Sequence, residues 1–208
     1  MKQSLIILSF LSIISMSGQT PCTNGTAGDY PCNGYDLQSF ISLDEMDAFE
    51  GNDSWGWTDS QTGKEYAIMG LNNGTAFIDI SNPIAPIYVG KLITTNGFLD
   101  SGQSWRDIKV YQDHAYVVSE ISDHGMQVFD LTRLRDINEA EVPELPVEPD
   151  LIYDDVASCH NIIINETSAI AYLLGCNTFN GGPNFVDISD PVNPVNLGGY
   201  AADGYTHD

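Results

Sequence analysis

One segment of this chain is written twice. Residues 76–92, AFIDISNPIAPIYVGKL, align without a gap with residues 184–200, NFVDISDPVNPVNLGGY, at an offset of 108. Both copies keep a Phe, an Asp-Ile-Ser, two prolines and a Gly at matching places. A fainter copy, MQVFDLTRL (126–134), sets Asp130 opposite Asp79 and Asp187, so the units are spaced by 51 and 57 residues. Self-similarity at such a period confines the chain to architectures made by stacking one supersecondary unit. Each copy is a β-branched or aromatic strand stopped by an Asp-x-Ser/Thr turn. In the first and last copies prolines follow, which deny ladder hydrogen bonds and favour a corner.

The residues before each copy supply the rest of a unit. Unit one reads as WGWTD (55–59), EYAIMGL (65–71), an Asn72-Asn73-Gly74 turn, TAFIDI and IYVGKL. Unit two reads as RDIKVY (106–111), HAYVVSE (114–120) and MQVFDL, with its fourth strand not marked. Unit three reads as HNIIIN (160–165), IAYLLG (170–175), NFVDIS and PVNLGGY. Meandering four-stranded sheets at this spacing build β-propellers. A β-sandwich is the competing architecture, but sandwich strands do not normally recur as near-copies. The expected fold is therefore all-β: an incomplete propeller of about three four-stranded antiparallel blades over residues 51–208.

The chain's start and its cysteines point outside the cell. Lys2, the apolar run Leu5 to Ile14 and the small residues Ser15-Met16-Ser17-Gly18 predict an export signal over 1–18. Pro21 before Cys22 does not suit lipidation, and no other run is long enough to cross a membrane. Four cysteines in an oxidising compartment should pair. Cys22 and Cys32 bracket a Gly/Thr-rich loop within the N-terminal segment 19–50 and predict a local bridge. If Asn165 faces Ile170 across a hairpin, register steps outward until Cys159 faces Cys176, at roughly 4.5–5.5 Å between Cβ atoms. The formal charge of −22 leaves too few cations to neutralise phosphates, which excludes nucleic acid and anionic lipid as partners.

The stretches YPCNGYDL, NDSWGWTDSQTGKEYAIMGLNNGTAFIDISNP, SWRDIKVYQDHAYVVSE, HGMQVFDLTRLR, HNIIIN, VDISDPVNP and ADGYTHD resemble the LVIVD-repeat propellers, specifically the exported choice-of-anchor B family. The resemblance implies an extracellular repeat protein carrying a C-terminal surface anchor. It departs from the pattern at Cys159, where Ala is usual, while the family's cysteine falls nearer Phe179, so the second bridge does not follow from it. YTHD opens a further blade in that family, which predicts an N-terminal fragment truncated at the start of a fourth blade, with the later blades and anchor missing.

Chemistry is sought where blades begin, because innermost strands converge on the axis. Arg106-Asp107, His160-Asn161 and His207-Asp208 occupy matching positions, 54 and 47 residues apart. This spacing predicts one ring at a channel mouth, and His124 in its Gly-containing turn is placed near the same face. Arg106, Asp107, His124, His160 and His207 form the candidate ligand site; His160, His207 and Asp208 are the candidate ligands for a divalent metal. Trp55, Trp57 and Trp105 are candidates for aromatic walls or for packing between blades, and His114 is structural. The acidic, proline-interrupted stretch 136–155 reads as an extended loop without an organised calcium motif. No GxSxG elbow or phosphate loop is present. Cys159 and His160 are strand neighbours on opposite faces, which argues against a thiol nucleophile. The expectation is a secreted or cell-surface propeller acting as a binding, adhesion or scaffold module for an extracellular protein or carbohydrate. A metal-dependent hydrolase or lyase with a His-rich axial site is the alternative.

Overall fold

The computed structural model describes residues 19–95 and 105–208, with the backbone alone at 144–146. The expected signal segment, 1–18, lies outside the described residues. Inside the loop closed by Cys22–Cys32, strands β1 (Thr26–Ala27) and β2 (Tyr30–Pro31) form a short ribbon. Three larger sheets follow. The first holds β3 (Gly51–Thr58), β4 (Glu65–Leu71), β5 (Gly74–Asp79) and β6 (Ile87–Ile93) as an antiparallel meander. The second holds β7 (Arg106–Tyr111), β8 (His114–Ser119) and β9 (Met126–Asp130); the third holds β12 (Asn161–Asn165), β13 (Ile170–Leu174), β14 (Asn184–Asp187) and β15 (Val195–Gly199). These are consecutive propeller blades, and β3, β7 and β12 lie side by side as their innermost strands.

The repeated Asp marks one structural event three times. Asp79, Asp130 and Asp187 close the third strand of their own sheets, and each carboxylate accepts a hydrogen bond from the backbone N–H two residues on, at 2.9 Å in every case. This side-chain turn stops the strand without leaving the N–H unpaired. Blades 1 and 3 also share a register shift at the same place, between Phe77 and Ile78 and between Phe185 and Val186, so the 108-residue offset extends to the backbone irregularity.

One expectation is corrected. The stretch 136–155 is not one extended loop: β10 (Glu144–Val147) pairs in parallel with β6, and β11 (Leu151–Tyr153) pairs with β9 as the fourth strand of blade 2. The excursion thus covers the outer edge of blade 1, which would otherwise present unpaired backbone groups. After Asp130 the chain takes a different course from that after Asp79 and Asp187. LTRLRD contains no proline and winds into a 3-10 helix, Leu131–Asp136, burying Leu131 and Leu134 between blades.

Blades stack through alternating apolar faces. Trp57, Tyr66, Ile68, Phe77 and Leu92 of blade 1 meet Ile108, Ala115, Val117, Phe129 and Leu131 of blade 2. The other face of blade 2, with Tyr116, Val118 and Val128, meets Ile162, Ala171, Leu173 and Val186 of blade 3. Removing such faces from water is the main stabilising term. The Cys159–Cys176 bridge, with Cα atoms 3.9 Å apart, continues the β12–β13 register from Asn161 opposite Leu174, as the hairpin reading expected. Two disulfides fit an oxidising, extracellular environment. Among the described residues no helix is long and apolar enough to cross a membrane.

Candidate functional site

The first residues of the inner strands gather at one end of the blade stack. Asn52, Asp53, Trp105, Arg106, Asp107, His160, Asn161, His207 and Asp208 line a cleft of about 460 Å³. A repeated clasp fixes this convergence. Asp53 Oδ2 accepts from the backbone N–H of Ile108 in the next blade, at 3.1 Å, and Asp107 Oδ2 accepts from that of Ile162, at 2.9 Å. Asn52 Oδ1 similarly accepts from the N–H of Arg106. Asn161 continues the series onto the following segment, donating through Nδ2 to Asp208 Oδ1 at 2.6 Å and to the His207 carbonyl at 2.8 Å.

Asn52 and Asp53 were not among the residues singled out from sequence. Their signal was present: stepping back 54 residues from Arg106-Asp107 lands on them. Asp107 is committed to structure on both oxygens, since Oδ1 also accepts from its neighbour's N–H and from Lys109 Nζ at 2.5 Å. Burial pushes the Asp53 carboxyl above its usual range, and the hydrogen bond and charge of Asp107 add to that.

Arg106 is 2 % exposed and its side chain crosses to blade 1. Gly70 clears its path, because a Cβ there would lie 2.9 Å from Arg106 Cγ. Its Nη2 reaches the Asn72 carbonyl at 3.5 Å, while Nε and Nη1 have no partner among the described residues. Burial lowers its pKa to about 10, so the guanidinium stays charged at neutral pH.

His160 and His207 form the most organised part of the cleft. His160 Nδ1 is 2.6 Å from Glu120 Oε1, His207 Nδ1 is 2.8 Å from Asp208 Oδ2, and the two Nε2 atoms lie 2.8 Å apart. Gly175, at φ +61°, has no Cβ to collide with the His160 Cβ, which would be 2.7 Å away. Glu120, one residue beyond β8, was not legible as a partner, because nothing in its spacing connects it with residue 160.

The other candidates separate. His124 is fully buried outside the cleft, with Nδ1 bonded to the Gly125 carbonyl; burial above all, with the charge of Arg106 adding, lowers its pKa to about 4, so it cannot meet a ligand. Asp208 points its oxygens at Asn161 and at His207 Nδ1, so in this arrangement it orients the imidazole. Among the three tryptophans only Trp105 lines the cleft, 55 % exposed with its ring 6.3 Å from that of His160. Trp57 packs between blades, stacked on Tyr66 and donating to Asp113, while Trp55 lies beneath Lys109. His114 bonds the Gln112 carbonyl within its own turn. Among the described residues no cluster of three or more His, Cys, Asp or Glu side chains is arranged to hold a metal ion.

Sheet order, inter-blade packing and the convergence of inner strands define an all-β protein of propeller blades. Within it, residues 64–94 match the LVIVD repeat family model, and this segment spans the second to fourth strands of blade 1. No curated protein matches the chain.

Proposed function

We propose that the chain belongs to a secreted or cell-surface propeller of the choice-of-anchor B type that works as a binding module, taking its ligand in the cleft where the inner strands begin. The observation that carries this reading is the meeting of matched residues from successive blades in one cleft. Two features there remain open to recognition: the paired imidazoles and the exposed ring of Trp105, whereas the Arg106 guanidinium is buried against blade 1. The indole provides a flat apolar wall suited to a sugar or an aromatic side chain. The LVIVD match and the two disulfides support the extracellular setting.

The test is a binding screen of the disulfide-intact chain against neutral and acidic oligosaccharides and extracellular proteins, with Trp105→Ala and His207→Ala in parallel. A ligand bound through this cleft loses tenfold or more affinity in the Trp105 variant. Equal binding by both variants and the parent would place recognition elsewhere.

A further inference from the structure

We propose that His160 and His207 bind a divalent transition-metal ion of the zinc, nickel or copper class through their Nε2 atoms, with Glu120 and Asp208 as orienting carboxylates. Each ring has a carboxylate at Nδ1, 2.6 Å away for His160 and 2.8 Å for His207. An imidazole that donates its Nδ1–H to a carboxylate presents Nε2 as a bare lone pair, so these partners assign the same tautomer to both rings. The two lone pairs then face one another across 2.8 Å. That contact is repulsive unless a cation lies between them: a single proton at this separation, or a metal ion once the rings part slightly.

Carboxylate, histidine and cation in that order is the arrangement by which proteins orient and sharpen metal-binding imidazoles. Here the orientation is set from both sides of the cleft. Glu120 comes from blade 2, while Asp208 is itself held by Asn161 of blade 3. A tetrahedral ion with bonds of 2.0–2.1 Å needs its two nitrogens about 3.3 Å apart, so the rings must open by about half an ångström. His207 has a side chain 61 % exposed and can supply that movement. The donor set is imidazole nitrogen alone, which suits borderline transition ions and not calcium or magnesium. With two protein donors, the remaining coordination positions face the cleft and fall to water or to a ligand's own donor atom. The inference rests on the reading of the cleft as a binding site and deepens it, because the ion would be the point of ligand attachment.

Zinc alone, titrated calorimetrically into the metal-stripped, disulfide-intact chain, should show one saturable equivalent. His160→Ala and His207→Ala should each weaken it by tenfold or more, and Glu120→Gln by roughly 10–100-fold as expected for an orienting carboxylate. Magnesium should not compete. Nitrogen-15 spectra should show the metal-dependent shift at Nε2 of both rings and not at Nδ1. Zinc uptake unchanged in both alanine variants would mean adventitious binding to the acidic surface and would overturn the proposal, as would no uptake at all. Repeating the ligand screen with chelator present separates the two readings: a cleft ligand indifferent to zinc and chelator leaves the binding module standing and removes the metal.

Discussion

At the scale of single residues, the inner-strand carboxylates serve first to join blades. Asp53 and Asn161 hold equivalent positions, yet one is an acid beside Asp107 and the other an amide. Asp53→Asn retains the acceptor for Ile108 and removes the burial of charge and the repulsion from Asp107 that raise the Asp53 pKa, so it should stabilise the fold at neutral pH by about 1 kcal/mol. Asp53→Ala, which leaves that N–H unpaired, should destabilise by a similar amount. Thermal melts of the two variants check the opposite signs. Buried His124 makes a second prediction. Its folded pKa of about 4 lies below the ordinary histidine value, so its contribution is complete above pH of about 6.5 and is lost as pH falls toward 4. That loss is worth roughly 3 kcal/mol. Urea unfolding across this range should show a shallower decline for His124→Phe than for the parent; parallel curves would refute the assignment. Both residues also show the reach of sequence. The pairs at Arg106, His160 and His207 were legible because blades repeat, whereas the burial of His124 and the partnership of Glu120 depend on packing between segments that do not repeat.

At the scale of elements, the strands of blades 1 and 3 follow from their near-identical wording, down to the Asp-terminated turns and the shared register shift. The Cys159–Cys176 pairing followed from hairpin register, a property with period two that fixes every opposed pair once one is known. Blade 2 resisted because its fourth strand is separated from its third by a 3-10 helix and the β10 excursion, and Leu-Ile-Tyr at 151–153 has no counterpart in the other copies. The turn at 43–49 is likewise held by a contact invisible in sequence. Lys91, 1 % exposed, donates to the Met46 and Asp47 carbonyls at 2.8 and 3.0 Å and to Asn73 Oδ1 at 3.2 Å. Lys91→Met keeps the volume and removes those donors. It should cost about 2 kcal/mol, with faster amide exchange confined to 43–49 and the adjoining Asn72-Asn73 turn. Faster exchange spread evenly through blade 1 would show instead that Lys91 supports the whole sheet.

At the scale of the molecule, blade 3 shows what a blade looks like with one face unstacked among the described residues. Leu197 and Phe185 hold the places of Val89 and Phe77, yet Leu197 is 52 % exposed where Val89 is 3 %. A contiguous apolar face of this kind should bind a hydrophobic dye, and Leu197→Asp should reduce that signal without changing the fold. The central claim, however, is that the starts of successive inner strands meet in one cleft. The most direct test is the nuclear Overhauser contact between imidazole protons of His160 and His207, 47 positions apart in the sequence, together with that between Trp105 and His160. Ring centroids 4.4 Å and 6.3 Å apart predict a strong His160–His207 contact and a weaker one to Trp105. Resolved ring signals with neither contact, and His207 showing contacts to solvent alone, would contradict the convergence from which the functional reading is built.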